Sequence, residues 1–477
     1  MKARKEICQG MTLKEPVLLI PVENQVRELD AKLLLACIAA RRGLTSIIGS
    51  KRDVESQITS FPRSIYIAKS LLHGHRKFLR VARQLGHEIV AWDEDALVHL
   101  PPEIYYSRRL SPQSMACVSH LFAWGEDNAE LWRQYPELPA ALPIHITGNP
   151  RNDLLRPEIR PFYEDDVKKI LNKYGAFILI NTNFNHVNSF SPIRRLFQPP
   201  DRPGDPSKLG RAARGMTREF AEGLRDHKQA IFEHFQKMIP ELDNAFPDYT
   251  IVVRPHQVES QTVYLQIAKN CQRVRVTNKG NVVPWLMACK AVILNGCTTS
   301  VEAYAMGVAA LSYRATVNDY YDDDFYRLPN RLSHQCFDFE ELKQTLKKIL
   351  AGELGVGAGG ERQALINHHL AAQDGPLACE RIVDVLEKAV HDLSELPKPT
   401  LRDRLQGWYN VTRRRVRQQL KSHGKDVDRS LAHHNKKNPE ISFDEMRARI
   451  ARFQQVLGAE GPFNVEQIND RLFQISS

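Results

Sequence analysis

Short apolar runs alternate with segments of helical periodicity along most of this chain. The first run is PVLLIPV at 16–22, and the segment that follows, LDAKLLLACIAARRG, places leucines and alanines at helical spacing and stops at Gly43. The strand-like run LTSIIGS comes next. Parallel strands need a crossover connection, usually a helix, whereas antiparallel strands can be joined by a short turn. The alternation therefore predicts an α/β protein built on parallel sheets.

The alternation restarts after a junction near residues 156–168. The run AFILINTNF at 176–184 opens a second series, and an irregular segment and a long helix at 217–246 follow it. The runs YTIVVRPH, AVILNG and VAALSYRA continue the series. We therefore predict two Rossmann-like domains, at 14–165 and 166–395, and a basic helical tail at 396–477.

Composition narrows the class of protein. Of the 477 residues, 42% are hydrophobic and 26% are charged, which is typical of a globular protein with sizeable cores. No run of 18 uncharged apolar residues and no apolar leader segment is present, so we expect neither a transmembrane helix nor secretion. The eight cysteines form no CxxC pair, which predicts reduced thiols, and no metal-binding motif is visible.

Positive charge is concentrated near the C-terminus. Between Lys398 and Lys437 there are twelve Lys and Arg residues against three Asp and Glu. Such a block is attracted to anionic lipid, nucleic acid or an anionic glycan, although a solvated helix face explains it equally well. Aromatic residues are scarce there apart from Trp408 and Tyr409, so we expect no nucleic-acid partner.

Polar residues follow three apolar runs of the second half. Asn181 and Asn183 follow FILI, Arg254 and His256 follow TIVV, and the turn NGCTTSVE follows AVIL. Doubly wound sheets bind ligands at the carboxyl ends of their strands, so these side chains are expected to line one site. The first run is not followed by GxGxxG, which disfavours a dinucleotide-dependent oxidoreductase.

The turn NGCTTSVE is a candidate phosphate site. Its hydroxyl residues can cap the next helix, whose free N–H groups and dipole suit an anion, and Gly296 permits close approach of the backbone. Glu302 can accept a hydrogen bond from a sugar hydroxyl. The alternative is an ordinary helix cap. The candidate residues are Asn295, Gly296, Thr298, Thr299, Ser300 and Glu302.

Carboxylates after the first strand are candidates for acid–base or nucleophilic chemistry. Glu23 and Glu28 lie in the turn and first helical turn, and Arg27 between them could pair with a sugar carboxylate. Acids also simply stabilise a helix N-terminus, and that alternative stays open. Asp226, on the long helix of the second half, is a third candidate.

The residues also carry a family resemblance. The elements RPHQVE and NGCTTSVEAYAMG resemble the nucleotide-binding half of GT-B glycosyltransferases that use CMP-activated acidic sugars. Longer stretches, among them GNPRNDLLRPEIRPFY and ILINTNFNHVN, are similar to bacterial surface carbohydrate biosynthesis proteins related to the β-Kdo transferases of O-antigen and capsule assembly. The resemblance extends from about Pro16 to Val390 and excludes the tail.

This resemblance implies a GT-B-like pair of Rossmann-like domains with an interdomain cleft. It implies that Arg254 and His256 lie against the nucleotide, that Thr298, Thr299 and Ser300 hold the phosphate, and that Glu302 faces the ribose. Gln257 departs from the family pattern, in which a second proline is common here.

The function that the resemblance implies is metal-independent transfer of a Kdo-like sugar from a CMP donor to a glycan or lipid-linked glycan, in lipopolysaccharide or capsule assembly. The nucleotide sugar is a substrate, and no cofactor is expected. The enzyme is expected to be cytoplasmic and peripheral on the inner membrane, with its tail on anionic lipid or on assembly proteins. Two alternatives remain: an enzyme of the UDP-GlcNAc 2-epimerase type, and a non-catalytic scaffold of polysaccharide assembly.

Overall fold

The computed structural model describes residues 15–200, 202, 204–322, 327–357, 359–395, 398–421, 438–459 and 461–477. The strands in chain order are β1 (Leu18–Val22), β2 (Ser46–Ser50), β3 (Ile65–Ala68), β4 (Glu88–Ala91), β5 (His120–Ala123), β6 (Ile144–Ile146), β7 (Phe177–Thr182), β8 (Phe197–Gln198), β9 (Lys208–Leu209), β10 (Thr250–Pro255), β11 (Val274–Val276), β12 (Ala291–Leu294), β13 (Ala310–Tyr313), β14 (His334–Cys336), β15 (Asn464–Asn469) and β16 (Leu472–Ser476).

The helices in chain order are α1 (Gln25–Arg41), α2 (Lys51–Ser56), α3 (Arg76–Gln84), α4 (Pro102–Arg109), α5 (Pro112–Met115), α6 (Glu126–Arg133), α7 (Pro150–Asp153), α8 (Glu164–Tyr174), α9 (Asn185–Asn188), α10 (Arg218–Ala245), α11 (Thr262–Lys269), α12 (Val283–Ala288), α13 (Thr299–Ala305), α14 (Asp319–Asp322), α15 (Arg327–Arg331), α16 (Phe339–Leu350), α17 (Gly360–His369), α18 (Ala378–Glu395), α19 (Leu401–Lys421) and α20 (Phe443–Leu457).

The chain forms two compact units. The first comprises Met1–Leu97, Pro101–Phe162 and Asn367–Ser477, and the second comprises Val98–Leu100 and Tyr163–Ile366. Each unit contains one large sheet flanked by helices. The predicted α/β class, with a Rossmann-like sheet in each half, is confirmed.

The sheet of the first unit has the order β15-β16-β2-β1-β3-β4-β5-β6. From β2 to β6 all neighbours are parallel. All five residues of β1 are buried, as expected for a central parallel strand covered on both faces. Helix α1 follows it and is buried from Glu28 to Ala40, which explains the run of leucines and alanines.

The C-terminal residues extend this sheet by a hairpin. Strand β16 pairs antiparallel with β2, from Leu472 opposite Gly49 to Ile475 opposite Ser46, and β15 pairs antiparallel with β16. The predicted helical tail therefore contains α19 and α20 and, in addition, two strands that the sequence analysis did not predict. The segment does show the alternation and the central polar turn of a hairpin, but the sheet that it joins lies more than 400 residues away in sequence. The part of the predicted basic block at 422–437 lies outside the described residues.

Helix α18 also belongs to the first unit, which the chain rejoins at Asn367. The sequence analysis assigned residues up to 395 to the second domain. The Asp153 carboxylate accepts the backbone N–H groups of Ala378 and Cys379, both at 2.8 Å, at the start of α18. Asp153 is fully buried, and burial raises its pKa to about 6 against these hydrogen bonds. A contact between residues so far apart in sequence leaves no periodic signal, so periodicity does not indicate that α18 packs in the first unit.

The sheet of the second unit is parallel throughout, in the order β11-β10-β7-β12-β13-β14. Strand β7 lies inside it, between β10 and β12. Helix α10, 28 residues long, packs its apolar face on the core that Phe235, Ile239 and Leu242 share with the strands. Crossing a bilayer would need a longer or more apolar helix than any in the described parts of the chain.

Replacing Gly49 should detach the hairpin. A Cβ on Gly49 would lie 1.9 Å from the carbonyl oxygen of Arg471, so the backbone of the hairpin turn must move. We expect Gly49→Ala to lower the free energy of unfolding by about 2 to 4 kcal/mol. Denaturant unfolding measures the loss, and hydrogen exchange of the β2 amides should accelerate.

Gly74→Ala is the matched control, because a Cβ on Gly74 meets nothing within 4 Å. It should change stability by less than about 0.5 kcal/mol. Equal stability of the two variants would contradict the docking of the hairpin on β2.

Candidate functional site

The second sheet has a topological switch point between β7 and β12. From β7 the chain adds β10 and β11 on one side, and it then returns to add β12, β13 and β14 on the other side. Open α/β sheets bind ligands at the carboxyl ends of the strands that flank such a point. Asn183 follows β7 and Asn295 follows β12, so two predicted residues lie at this position.

Hydrogen bonds join the two strand ends. The Asn183 N–H donates to Asn295 Oδ1 at 3.0 Å, and Asn181 Nδ2 donates to Thr299 Oγ1 at 2.8 Å. Gly296 has φ +71°, a left-handed conformation that favours glycine, and it lets the chain turn directly after Asn295. The structure thus brings together five of the predicted residues.

The hydroxyl residues of the turn differ in what they can offer. Thr298 is the N-cap of α13, but its side chain makes no capping hydrogen bond, so the predicted hydroxyl cap is wrong for this residue. The Ser300 hydroxyl is fully buried and donates to the Cys297 carbonyl at 2.9 Å. Glu302 is buried in the first turn of α13. Thr298, which is half-buried, is therefore the hydroxyl residue most open to a ligand.

The contacts of the Arg254 side chain are typical of a structural role. Its guanidinium donates to the carbonyl oxygens of Lys279 at 2.8 Å and Gly280 at 3.1 Å, and it stacks on the Trp285 ring at 4.6 Å. The side chain is 5% exposed, and burial lowers its pKa to about 9. These contacts hold the loop after β11 and leave little of the guanidinium for a nucleotide.

His256 is exposed directly after β10, where the resemblance places a nucleotide contact. Its backbone N–H donates to the Thr182 carbonyl and to Glu259 Oε1, both at 3.1 Å. Glu259 is 1% exposed and also accepts the hydroxyls of Thr182 and Tyr264 at 3.0 and 2.8 Å. Burial raises the pKa of Glu259 against these hydrogen bonds. Glu259 therefore fixes the backbone of the His256 loop, a role that the sequence analysis missed.

A small pocket with mainly polar lining residues adjoins Asn295. It includes two cationic residues, Lys228 from α10 and Arg314 after β13, and one carboxylate, Asp322. Lys228 is 3% exposed, and burial lowers its pKa to about 7 against the attraction of Asp322. Asp322 lies 2.8 Å from His227 Nε2 and 3.5 Å from Arg314 Nη2. The pocket thus has two basic side chains and one carboxylate beside the switch point.

Lys228 was missed, although the sequence contains its signal. It stands four residues after Leu224 and three before Ile231, within the apolar stripe of α10. A lysine on a buried helix face is expensive and commonly has a function. By contrast, the predicted nucleophile Asp226 is exposed and pairs with Arg225 at 2.8 Å.

The first sheet has its switch point between β1 and β3, because the chain passes from β1 to β2 on one side and then to β3 on the other. Glu23 follows β1 and Lys69 follows β3, and their charged groups lie 3.2 Å apart. Lys51, after β2, lies 3.7 Å from the same Glu23 oxygen. The Glu23 side chain is 38% exposed, so a carboxylate between two lysines is open to solvent at this edge.

Glu28 has a different environment. Its carboxylate accepts the backbone N–H groups of Glu23 at 2.9 Å and Asn24 at 3.2 Å, and it contacts Lys32 at 2.8 Å and Lys69 at 3.1 Å. Burial opposes ionisation, but the two ammonium groups outweigh it and lower the pKa of Glu28. This carboxylate holds the turn after β1, and its lowered pKa disfavours proton transfer.

The remaining polar side chains of this edge are connected. The predicted sugar-carboxylate ligand Arg27 donates to Asp95 at 2.9 Å and is one-third exposed. Lys51 Nζ lies 2.6 Å from His75 Nε2, and His75 Nδ1 lies 3.1 Å from the Ser70 hydroxyl. A lysine donor requires an unprotonated Nε2, and burial lowers the pKa of His75 in agreement. The described residues contain no group of three or more His, Cys, Asp and Glu side chains suited to a metal ion.

No protein-family model and no curated protein matches the sequence. Solved structures that resemble the chain include the wall teichoic acid polymerase TagF, at 11% identity, covering 82% of this chain and 93% of that chain with a TM-score of 0.48. The UDP-GlcNAc 2-epimerase from Methanocaldococcus jannaschii is 11% identical, with coverage of 78% and 99% and a TM-score of 0.44. That from Neisseria meningitidis, bound to UDP-GlcNAc, is 12% identical, with coverage of 78% and 100% and a TM-score of 0.43. Likeness at this level assigns neither activity nor substrate to this chain.

Replacing Arg254 should affect stability and leave ligand binding nearly intact. Arg254→Met removes the donors to the Lys279 and Gly280 carbonyls and the stacking on Trp285. We expect the free energy of unfolding to fall by about 2 to 4 kcal/mol, because buried carbonyl groups lose their partner. If the chain binds a nucleotide, its affinity in the folded variant, measured by calorimetry, should change less than about threefold, which is below 1 kcal/mol.

Arg275→Met is the matched control. Arg275 also donates to two carbonyl oxygens, at 3.0 and 2.9 Å, but it is exposed. Its replacement should cost less than about 0.5 kcal/mol. An Arg254 variant with normal stability and no nucleotide binding would show instead that this guanidinium contacts the ligand.

Proposed function

We propose that the protein is a glycosyltransferase of bacterial surface polysaccharide assembly that transfers a Kdo-like acidic sugar from a CMP donor to a glycan or lipid-linked glycan. The observation that carries the proposal is the second sheet's switch point, where Asn183 is hydrogen-bonded to Asn295 beside the pocket of Lys228 and Arg314. The resemblance of RPHQVE and NGCTTSVEAYAMG supports the choice of a CMP donor. We place the reaction in the cytoplasm, with no cofactor and no metal ion.

The donor phosphate needs positive charge, and Lys228 and Arg314 are our candidates. Arg254 is committed to carbonyl groups, whereas these two cations line the pocket next to Asn295. The amide groups of Asn183 and Asn295 and the Thr298 hydroxyl add neutral hydrogen-bonding groups at the same strand ends. Charge that develops on the departing CMP is then offset by fixed cations.

The reaction needs a proton acceptor. The acceptor hydroxyl oxygen bonds to the anomeric carbon, the bond between that carbon and the phosphate oxygen breaks, and the hydroxyl proton goes to a carboxylate. Among the three predicted carboxylates, Glu23 suits this role best, because it is partly exposed at the first sheet's switch point. Glu28 is buried and accepts two backbone N–H groups besides its two lysine contacts, and Asp226 pairs with Arg225 on an exposed helix face.

The donor assignment predicts selective nucleotide binding. CMP and CMP-Kdo should raise the melting temperature in a thermal-shift screen, and UDP, GDP and their sugars should raise it less. Stabilisation by uridine nucleotides alone would exclude the CMP donor. Turnover of a nucleotide sugar without any acceptor would favour an epimerase, and absence of binding to all nucleotides would favour a scaffold.

Lys228 gives this binding a pH dependence. As pH rises through about 7, the ammonium loses its proton and its attraction for phosphate. We expect CMP affinity to fall roughly tenfold between about pH 6 and pH 8, since a charged hydrogen bond contributes about 1.5 to 3 kcal/mol. Lys228→Met should bind weakly at both pH values. The CMP phosphate titrates in the same way with the unchanged protein and with Lys228→Met, so only the difference between their pH profiles reports on Lys228. Equal profiles would exclude Lys228 from the binding site.

Glu23→Gln tests the proton acceptor. We expect the transfer rate to fall about 10²- to 10⁴-fold, because an amide cannot accept the proton, with CMP affinity and melting temperature nearly unchanged. Asp226→Asn is the matched control and should retain full activity, because Asp226 is exposed and contacts Arg225. Full activity of the Glu23 variant would exclude Glu23 as the base.

A further inference from the structure

Helix α19 carries an apolar stripe that faces solvent. Its exposed members are Leu401 at 77%, Leu405 at 61%, Trp408 at 58%, Tyr409 at 58% and Val416 at 47%. Counted from Leu401, the other four lie four, seven, eight and fifteen residues further on, which places all five within about 100° of one another around the helix axis. Globular surfaces rarely expose contiguous apolar residues on this scale without an interaction partner.

The helix is attached to the first unit by a different face. Val411 is 7% exposed and belongs to the apolar core of that unit. A Cβ on Gly407 would lie 3.0 Å from the Leu85 side chain, so glycine permits close packing on the end of α3. This attachment fixes the rotation of α19 about its axis and leaves the stripe outward.

Cationic side chains accompany the stripe. Arg402, Arg404 and Arg413 are exposed on the same helix. Asp403, in the first turn of α19, accepts a hydrogen bond from the Thr400 hydroxyl at 2.5 Å, and its carboxylate lies near the helix N-terminus. Exposed apolar, interfacial aromatic and arginine side chains are thus combined on one short helix.

We propose that the exposed face of α19 lies on an anionic phospholipid surface, with the stripe Leu401, Leu405, Trp408, Tyr409 and Val416 among the upper acyl chains. Tryptophan and tyrosine favour the membrane–water interface, and arginine binds phosphate headgroups. Positive charge beside the apolar residues matches a negative surface, and this complementarity selects anionic lipid over a neutral protein surface. The inference does not depend on the proposed glycosyltransferase activity.

Trp408 provides a direct measurement. The chain has five tryptophans, and the other four are at most 5% exposed: Trp92, Trp124, Trp132 and Trp285. Vesicles of phosphatidylethanolamine and phosphatidylglycerol with brominated acyl chains should quench and blue-shift the Trp408 emission. Phosphatidylcholine vesicles should have little effect. Trp408→Phe, which keeps the apolar side chain, should remove the quenching and retain binding.

Co-sedimentation with the same vesicles separates the apolar contribution from the charge contribution. Leu405→Glu and Trp408→Ser should each reduce the fraction bound at least about tenfold. The triple change of Arg402, Arg404 and Arg413 to Gln should reduce it at least as much on anionic vesicles, because each arginine near the surface contributes roughly fivefold. Leu265→Glu is the control, because Leu265 is 48% exposed on α11 of the second unit. The variant protein should bind the vesicles as the unchanged protein does.

Three results would overturn the proposal. The first is full-length protein that does not bind phosphatidylglycerol vesicles at low salt. The second is binding that survives both Leu405→Glu and Trp408→Ser with circular dichroism and melting temperature unchanged. The third is light scattering that shows a dimer which Leu405→Glu converts to a monomer without any vesicle binding, because the stripe is then an interface between copies of the chain.

Discussion

The candidate site depends on the parallel pairing of β7 with β10 on one side and β12 on the other. Asn181 lies opposite Arg254 in one pair and opposite Leu294 in the other, so the three strands end at nearly the same level. Asn183, His256 and Asn295 therefore emerge together. The buried Glu259 holds one of these strand ends and the Asn183–Asn295 hydrogen bond joins the other two, which gives a ligand a preorganised edge.

The two switch points differ in chemistry. The edge of the first sheet is ionic, with Glu23 between Lys51 and Lys69 and with Glu28 held by Lys32 and Lys69. The edge of the second sheet presents mainly amide and hydroxyl groups, and its cations lie in an adjoining pocket. Charged groups that are partly exposed suit proton transfer, whereas fixed neutral groups with enclosed cations suit recognition of a nucleotide and its phosphate. The choice of Glu23 as the base in the proposed function depends on its partial exposure.

The sequence predicts the two α/β halves and part of the site, because both signals are local. Apolar runs that end in Asn or Asn-Gly predict strand ends at Asn181, Asn183, Asn295 and Gly296, and the structure has these residues at or directly after the ends of β7 and β12. The sequence does not predict which way the Arg254 side chain points. Strand β10 is buried on both faces, so its residues do not alternate between polar and apolar. The hairpin on β2 and the Asp153 cap of α18 depend on contacts between distant residues, which periodicity does not encode.

The buried cations decide how the second unit could bind an anion. The Arg254 guanidinium donates to two carbonyl oxygens and stacks on an aromatic ring, and burial nevertheless lowers its pKa to about 9. Lys228 is as deeply buried, and the lowering of its pKa to about 7 means that the surroundings favour the uncharged amine far more than water does. In the proposed function, a phosphate beside Lys228 would stabilise the ammonium form and raise the pKa of Lys228. Burial lowers the pKa of both cations, so the choice of Lys228 as the phosphate ligand in the proposed function depends on position: Lys228 lines the pocket beside Asn295, whereas the Arg254 guanidinium donates to the Lys279 and Gly280 carbonyls.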